Sequence, residues 1–173
     1  MRLIVLALLL AAGVAAAADT PFTEAQQVFM RAQQGQEKDV EPAIAAFEAL
    51  ARAEPRNPAY AAYLGSATTL KGRDALMPWN RVKYVEEGLD RLDGALAGLK
   101  PEHDKELLRG VPVSMEARLV AANTFMRLPD GIFHRRAQGK KLVADLLKDP
   151  TLAAAPASFR AAVDKAAAEA ARP

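Results

Sequence analysis

Apolar positions along the chain recur three and four residues apart, in segments separated by proline, glycine or short polar runs, and this spacing predicts a succession of helices. Thr23 can cap a first helix that runs to about Gln34, with Ala25, Val28, Phe29 and Ala32 on one face. After the polar loop Gly35 to Asp39, Asp39 can cap a second helix with Pro42 in its first turn and Val40, Ile44, Phe47 and Ala51 as its stripe. Pro58 starts a third helix, with Tyr60, Tyr63, Leu64, Ala67 and Leu70 facing inward and Gly72 as its stop. Pro78 opens a fourth. Val82, Val85, Leu89, Leu92, Leu96 and Leu99 form a narrow seam on it, of the coiled-coil type, which packing within the chain explains better than self-association. Pro101 to Leu108 reads as a short helix and Gly110 to Pro112 as a turn. Val113 to Leu128 is apolar almost all round, as a central helix is. Pro129 ends it, and Asp130 can cap a further helix that runs to Lys148. Pro150 and Pro156 then bracket a linker before an alanine-rich helix, Ala157 to Arg172, that carries Phe159 and Val163.

A spacing repeats within this succession. Ala43, Phe47 and Leu50, followed by Pro55, fit A-x3-F-x2-A…P with leucine in the last place, and Leu64-Gly65 falls where a next unit carries its Leu-Gly pair. Gly88, Leu92 and Ala95 before Pro101, and Gly139, Val143 and Leu146 before Pro150, keep the same spacing. The intervals are 88 − 43 = 45 and 139 − 88 = 51 residues, longer than the roughly 34 of a regular array. On these motifs the chain resembles small exported bacterial tetratricopeptide-repeat (TPR)-like proteins of unassigned activity. Ala61 and Thr68 depart from the usual Trp and Tyr. The resemblance implies an all-α fold: an irregular TPR-like stack of antiparallel helix pairs with a C-terminal capping helix. It also implies protein binding, in which a peptide or helix lies in a groove between stacked helices. In TPR domains that grip a C-terminal carboxylate, particular positions of the first helix carry Lys, Arg and Asn. Here the matching positions hold Ala, Tyr, Ser and Thr, so that clamp is not implied.

Composition adds a compartment. Arg2 followed by the apolar run Leu3 to Leu10, the break at Gly13 and Ala16-Ala17-Ala18 before Asp19 have the order of a signal peptide over residues 1–18, cleaved after Ala18. Export to the periplasm or medium follows, with residues 19–173 as one domain. No later stretch is apolar enough to span a bilayer. The chain has no cysteine, so it has neither a lipid-bearing cysteine nor disulfides, and packing alone must hold the exported fold. The net charge of +2 is weak evidence for nucleic acid, and no aromatic is interleaved within the basic run His134 to Lys141.

Catalytic signals are weak. No serine lies in a nucleophile elbow, and no phosphate loop or dinucleotide fingerprint is present. His103 among Glu102, Asp104 and Glu106 reads as a solvated helix start more readily than a metal site. No cofactor, metal or enzymatic activity is expected. Three groups rise above this background. Trp79, Arg81, Lys83 and Tyr84 crowd a helix start behind Lys71 and Arg73, and this is either a binding surface or a packed lid with solvated cations. On the apolar helix, Glu116, Arg118 and Asn123 need partners. Arg118 either ties helices through a carboxylate or lines a groove with Asn123. The run His134 to Lys141 is a solvated basic face or an anion-binding patch. The expected function is an exported adaptor or assembly partner. The alternatives are a small-molecule or anion-binding module built on Trp79, Arg81 and Arg118, or, less favoured, a carboxylate-based enzyme.

Overall fold

A computed structural model describes residues 6–172, with side chains from Thr20 onward. The described residues form eight α-helices and one two-stranded hairpin. Helix α1 (Leu6–Gln33) is followed by a 3-10 turn at Glu37–Asp39, then α2 (Val40–Ala53), α3 (Pro58–Asp74) and α4 (Pro78–Ala97). A second 3-10 turn, Pro101–Asp104, leads into strands β1 (Leu107–Leu108) and β2 (Val111–Pro112). Beyond them lie α5 (Val113–Arg127), α6 (Asp130–Phe133), α7 (Arg136–Lys148), a 3-10 turn at Pro150–Ala154 and α8 (Ala157–Ala170). The fold is all-α, as expected.

The tightest joint lies between α3 and α4. A Cβ on Gly65 would stand 2.7 Å from the carbonyl oxygen of Gly88, and one on Gly88 would stand 2.6 Å from that of Gly65. Only glycine at both positions lets the two backbones meet. Gly72 continues the contact against Val85, so the helices run antiparallel. Gly139 of α7 sits equally close to Ala122 and Met126 of α5.

Around these joints two apolar cores form, and α5 belongs to both. Val113, Ala117, Val120, Ala121 and Phe125 face a core shared with α1 to α4. Met115, Leu119, Ala122 and Met126 face a second core completed by Val143 and Leu146 of α7 and Phe159 and Val163 of α8. An aromatic cluster anchors the first core. Phe47 stacks on Tyr63 at 4.7 Å between centroids, and Phe22 and Phe29 meet both rings edge-on. Between α3 and α5 the Ser66 and Thr124 hydroxyls lie 2.7 Å apart. Thr124 gives its proton to the Val120 carbonyl, so Ser66 is the donor of the pair and both buried hydroxyls are satisfied.

Several boundaries differ from expectation. Thr23 is not a cap, because α1 is already helical from Leu6. Asp39 stands at the start of α2 but gives its carboxylate to Arg31 at 2.8 Å instead of to backbone N–H groups. Gly72 does not stop α3, which continues to Asp74; its lack of a side chain serves packing. Pro101 to Leu108 is not one helix. Arg109 and Gly110, both at positive φ (52° and 77°), close a two-residue hairpin that draws Leu108 opposite Val111. The helix expected from Asp130 to Lys148 breaks at His134, whose left-handed backbone ends α6. Asp130 then accepts the Arg136 N–H at 2.9 Å and so caps α7.

Three substitutions test this packing. Gly88→Ala gains up to about 1 kcal/mol of helix propensity. Its methyl would, however, meet the Thr69 methyl at 2.5 Å and backbone that cannot yield, so the net expectation in chemical denaturation is a loss of roughly 1–3 kcal/mol. Gly94→Ala meets nothing within 4 Å and should stabilise by up to about 1 kcal/mol. Phe47→Ala, which empties the centre of the aromatic cluster, should cost about 3–5 kcal/mol.

Candidate functional site

Trp79 stands in the first turn of α4 and is 68% exposed, so it does not act as a lid. Its neighbours Leu76 and Met77 are also exposed. Arg81 donates from Nε to the Ala75 carbonyl at 2.7 Å and so braces the turn between α3 and α4. Lys83 lies 3.9 Å from Glu87, and Tyr84 receives the Lys71 ammonium over its ring at 4.8 Å. Lys71 also pairs with Glu41 at 2.7 Å, and that hydrogen bond raises its pKa. Arg73 is held by Asp74 and by the Ala32 carbonyl. Beside this ridge opens a cleft of about 650 Å³ between α3, the start of α4, the end of α5 and α6. Leu70, Val82, Val85, Leu128, Ile132 and Phe133 give it an apolar lining. Arg73, Arg81 and Arg127 are its charged residues, and no carboxylate lines it.

The structure separates Arg118 from Asn123. Five residues on a helix turn through roughly 140°, and the two side chains leave α5 in different directions. Arg118 points to Asp104 at 3.9 Å and lines neither cleft described here. This is the tie between elements that a polar side chain on a buried helix required. The grouping of Trp79, Arg81 and Arg118 into one site does not form.

Asn123 instead lines a second cleft, of about 360 Å³, between α1, α5, α8 and the hairpin. Its floor is polar. The Tyr63 hydroxyl donates to Glu116 Oε1 at 2.5 Å, and Gln26 Nε2 donates to the Tyr63 oxygen at 2.6 Å. Arg109, on the hairpin tip, lies 3.8 Å from the same Glu116 oxygen with its guanidinium over the Phe22 ring at 4.7 Å. Glu116 is 3% exposed, and its Oε2 has no hydrogen-bond partner. Burial pushes the Glu116 carboxyl pKa up, opposed by the Tyr63 hydrogen bond and the Arg109 charge. Burial also raises the Tyr63 phenol, and the Glu116 charge adds to the rise. Sequence reasoning singled out Glu116 as a polar residue on a buried helix but missed Tyr63, its partner 53 residues away. The missed signal was a tyrosine on an apolar face, whose hydroxyl must find an acceptor.

The basic run resolves into internal ties. Arg135 pairs with Asp93 at 2.6 Å, Lys141 with Asp145 at 2.6 Å, and Lys140 caps the Arg172 carbonyl at 3.0 Å. His103 is buried, and its Nδ1 accepts the Lys100 N–H at 3.0 Å. Among the described residues no three His, Asp or Glu side chains gather as a metal site, and no described helix is long and apolar enough to cross a membrane. No family model, curated protein or solved structure matches the chain.

The Glu116 environment has a pH signature. The folded carboxyl keeps its proton above its ordinary 4.5, while the unfolded one releases it there. The folded state therefore binds more protons, and stability falls as pH rises from about 4.5 through the raised folded value. Glu116→Gln keeps an acceptor for Tyr63 and removes the titration. The stability of the variant relative to wild type should therefore climb as pH rises above about 4.5 in denaturant titrations.

Proposed function

We propose that the chain is an exported, TPR-like protein-interaction module that seats an acidic amphipathic helix in the cleft between α3–α4 and α5–α6. The observation that carries this reading is the lining of that cleft: an apolar surface with three arginines and no carboxylate, beside exposed Leu76, Met77 and Trp79. An apolar stripe would fill such a groove, and flanking Asp or Glu would meet the guanidinium groups. The repeat reading draws support from packing. Ala43 and Phe47, then Gly88, Leu92 and Ala95, then Gly139, Val143 and Leu146, share one spacing and are all buried. The first belong to α2, which follows α1, the next to α4, which follows α3, and the last to α7, which packs on α5 with the short α6 between them.

Export draws support from Pro21. Inside a continuous α1 it lacks the N–H that the helix ladder needs, whereas after cleavage behind Ala18 it would stand in the first turn, where that N–H is not needed. Mass spectrometry of the native protein should find Asp19 as its first residue, and recovery of Arg2 from the envelope would refute processing.

The groove is tested with a fluorescently labelled peptide that has leucines at positions i, i+3, i+4 and i+7 flanked by glutamates. Anisotropy should report binding that weakens with salt, and Trp79 emission should shift beside the occupied cleft. Val82→Asp should abolish capture and Arg81→Glu should weaken it severalfold. Val82 is exposed, so its substitution should change stability by no more than about 0.5 kcal/mol, whereas Arg81→Glu also loses the hydrogen bond to the Ala75 carbonyl and should cost about 1 kcal/mol. Equal binding of the same peptide with lysines in place of glutamates, or full capture by Val82→Asp, would overturn the assignment.

A further inference from the structure

The second cleft carries a separate inference. We propose that it binds a free α-amino acid with an apolar side chain, the ammonium received by Glu116 and the carboxylate by Arg109. Three observations converge on this chemistry. First, Glu116 is 3% exposed and lines the cleft, with Oε1 occupied by Tyr63 and Oε2 without a hydrogen-bond partner. A buried carboxylate oxygen without a donor is costly, and an ammonium offsets that cost with a charge-assisted hydrogen bond. Second, the Arg109 guanidinium stands 3.8 Å from Oε1, the oxygen that Tyr63 already holds. It balances the Glu116 charge without filling the acceptor. Carboxylate and guanidinium together form a neutral pair, which a zwitterion matches and a bare amine or acid does not. Third, Phe29, Leu119 and Phe159 wall the cleft, whose volume of about 360 Å³ accommodates a side chain of leucine or phenylalanine size.

The hairpin gives the site an entrance. Arg109 sits on the two-residue tip with its guanidinium over Phe22. It is the cover that the ligand turns aside, and the same guanidinium then takes the carboxylate in the bidentate manner suited to its fork. Raised by burial, the Glu116 carboxyl must lose its proton to receive an ammonium, so affinity rises with pH through that titration. The charged and titratable groups facing it are Arg109 from the hairpin and Tyr63 from α3, and α1 contributes the neutral Gln26.

The experiment is isothermal titration calorimetry of the whole chain with L-leucine and L-phenylalanine, set against leucinamide and 4-methylpentanoate. At least one amino acid should bind, and the amide and the deaminated acid should each bind at least about tenfold more weakly. Glu116→Gln should lose about tenfold or more. Ala162→Phe crowds the cleft from the exposed face of α8 and leaves Glu116 unsubstituted, and it should also abolish binding, so the test survives if the first variant does not fold. Absence of heat with both amino acids, equal affinity for the amide, or full binding by Ala162→Phe would each overturn the proposal. None of these outcomes bears on the α3–α4 groove, which Ala162 does not line.

Discussion

The first core of this fold is arranged around the backbone-to-backbone approach of α3 and α4 at Gly65 and Gly88. Each glycine occupies space that a Cβ of the other would need. This fixes the register of the pair, because a slip of one residue would bring a side chain into the gap. With α4 held so close, α3 is enclosed. Its remaining faces press on α1, α2 and α5, and the aromatic cluster and the Ser66–Thr124 hydrogen bond fill what the glycines leave.

Tyr63 joins the apolar and polar halves of the design. Its ring lies flat on Phe47 in the middle of the first core, and its hydroxyl reaches past the ring cluster to Glu116 on α5. A buried carboxylate is tolerated there because a hydrogen bond and a nearby guanidinium partly replace lost water. The same arrangement leaves one oxygen of that carboxylate without a partner, so a structural tie also becomes the polar floor of a cleft.

What the sequence made legible was governed by local chemistry. Prolines 58 and 78 marked helix starts because a proline ring suits a first turn, and both hold. The central place of α5 was readable because its apolar residues surround the helix axis, which only a buried helix tolerates. The hairpin was not readable. It depends on Arg109 adopting positive φ, which is uncommon for a residue with a side chain and is favoured here by a contact to Phe22, far away in sequence, and by Glu116 on the helix that follows. The break at His134 was hidden for a related reason: no proline or glycine stands at it, Asp130 caps the second half of the expected helix instead of its start, and Asp93 holds Arg135 from a distant helix. As for the candidate residues, Trp79 and Arg81 were found by clustering along the chain, and Asn123 by its polarity on an apolar helix. Tyr63, Gln26 and Arg109 come together only through the stacking of distant elements.

From Pro58 to Thr69 every side chain of α3 except Ala61 is buried. A helix without a free face has little evolutionary latitude, since nearly any substitution must be answered by a change in a neighbour. Helices α2, α4, α7 and α8 each keep a solvent-facing side that can drift singly. Divergent versions of this chain are therefore expected to share the small and aromatic residues of α3 while their surfaces vary.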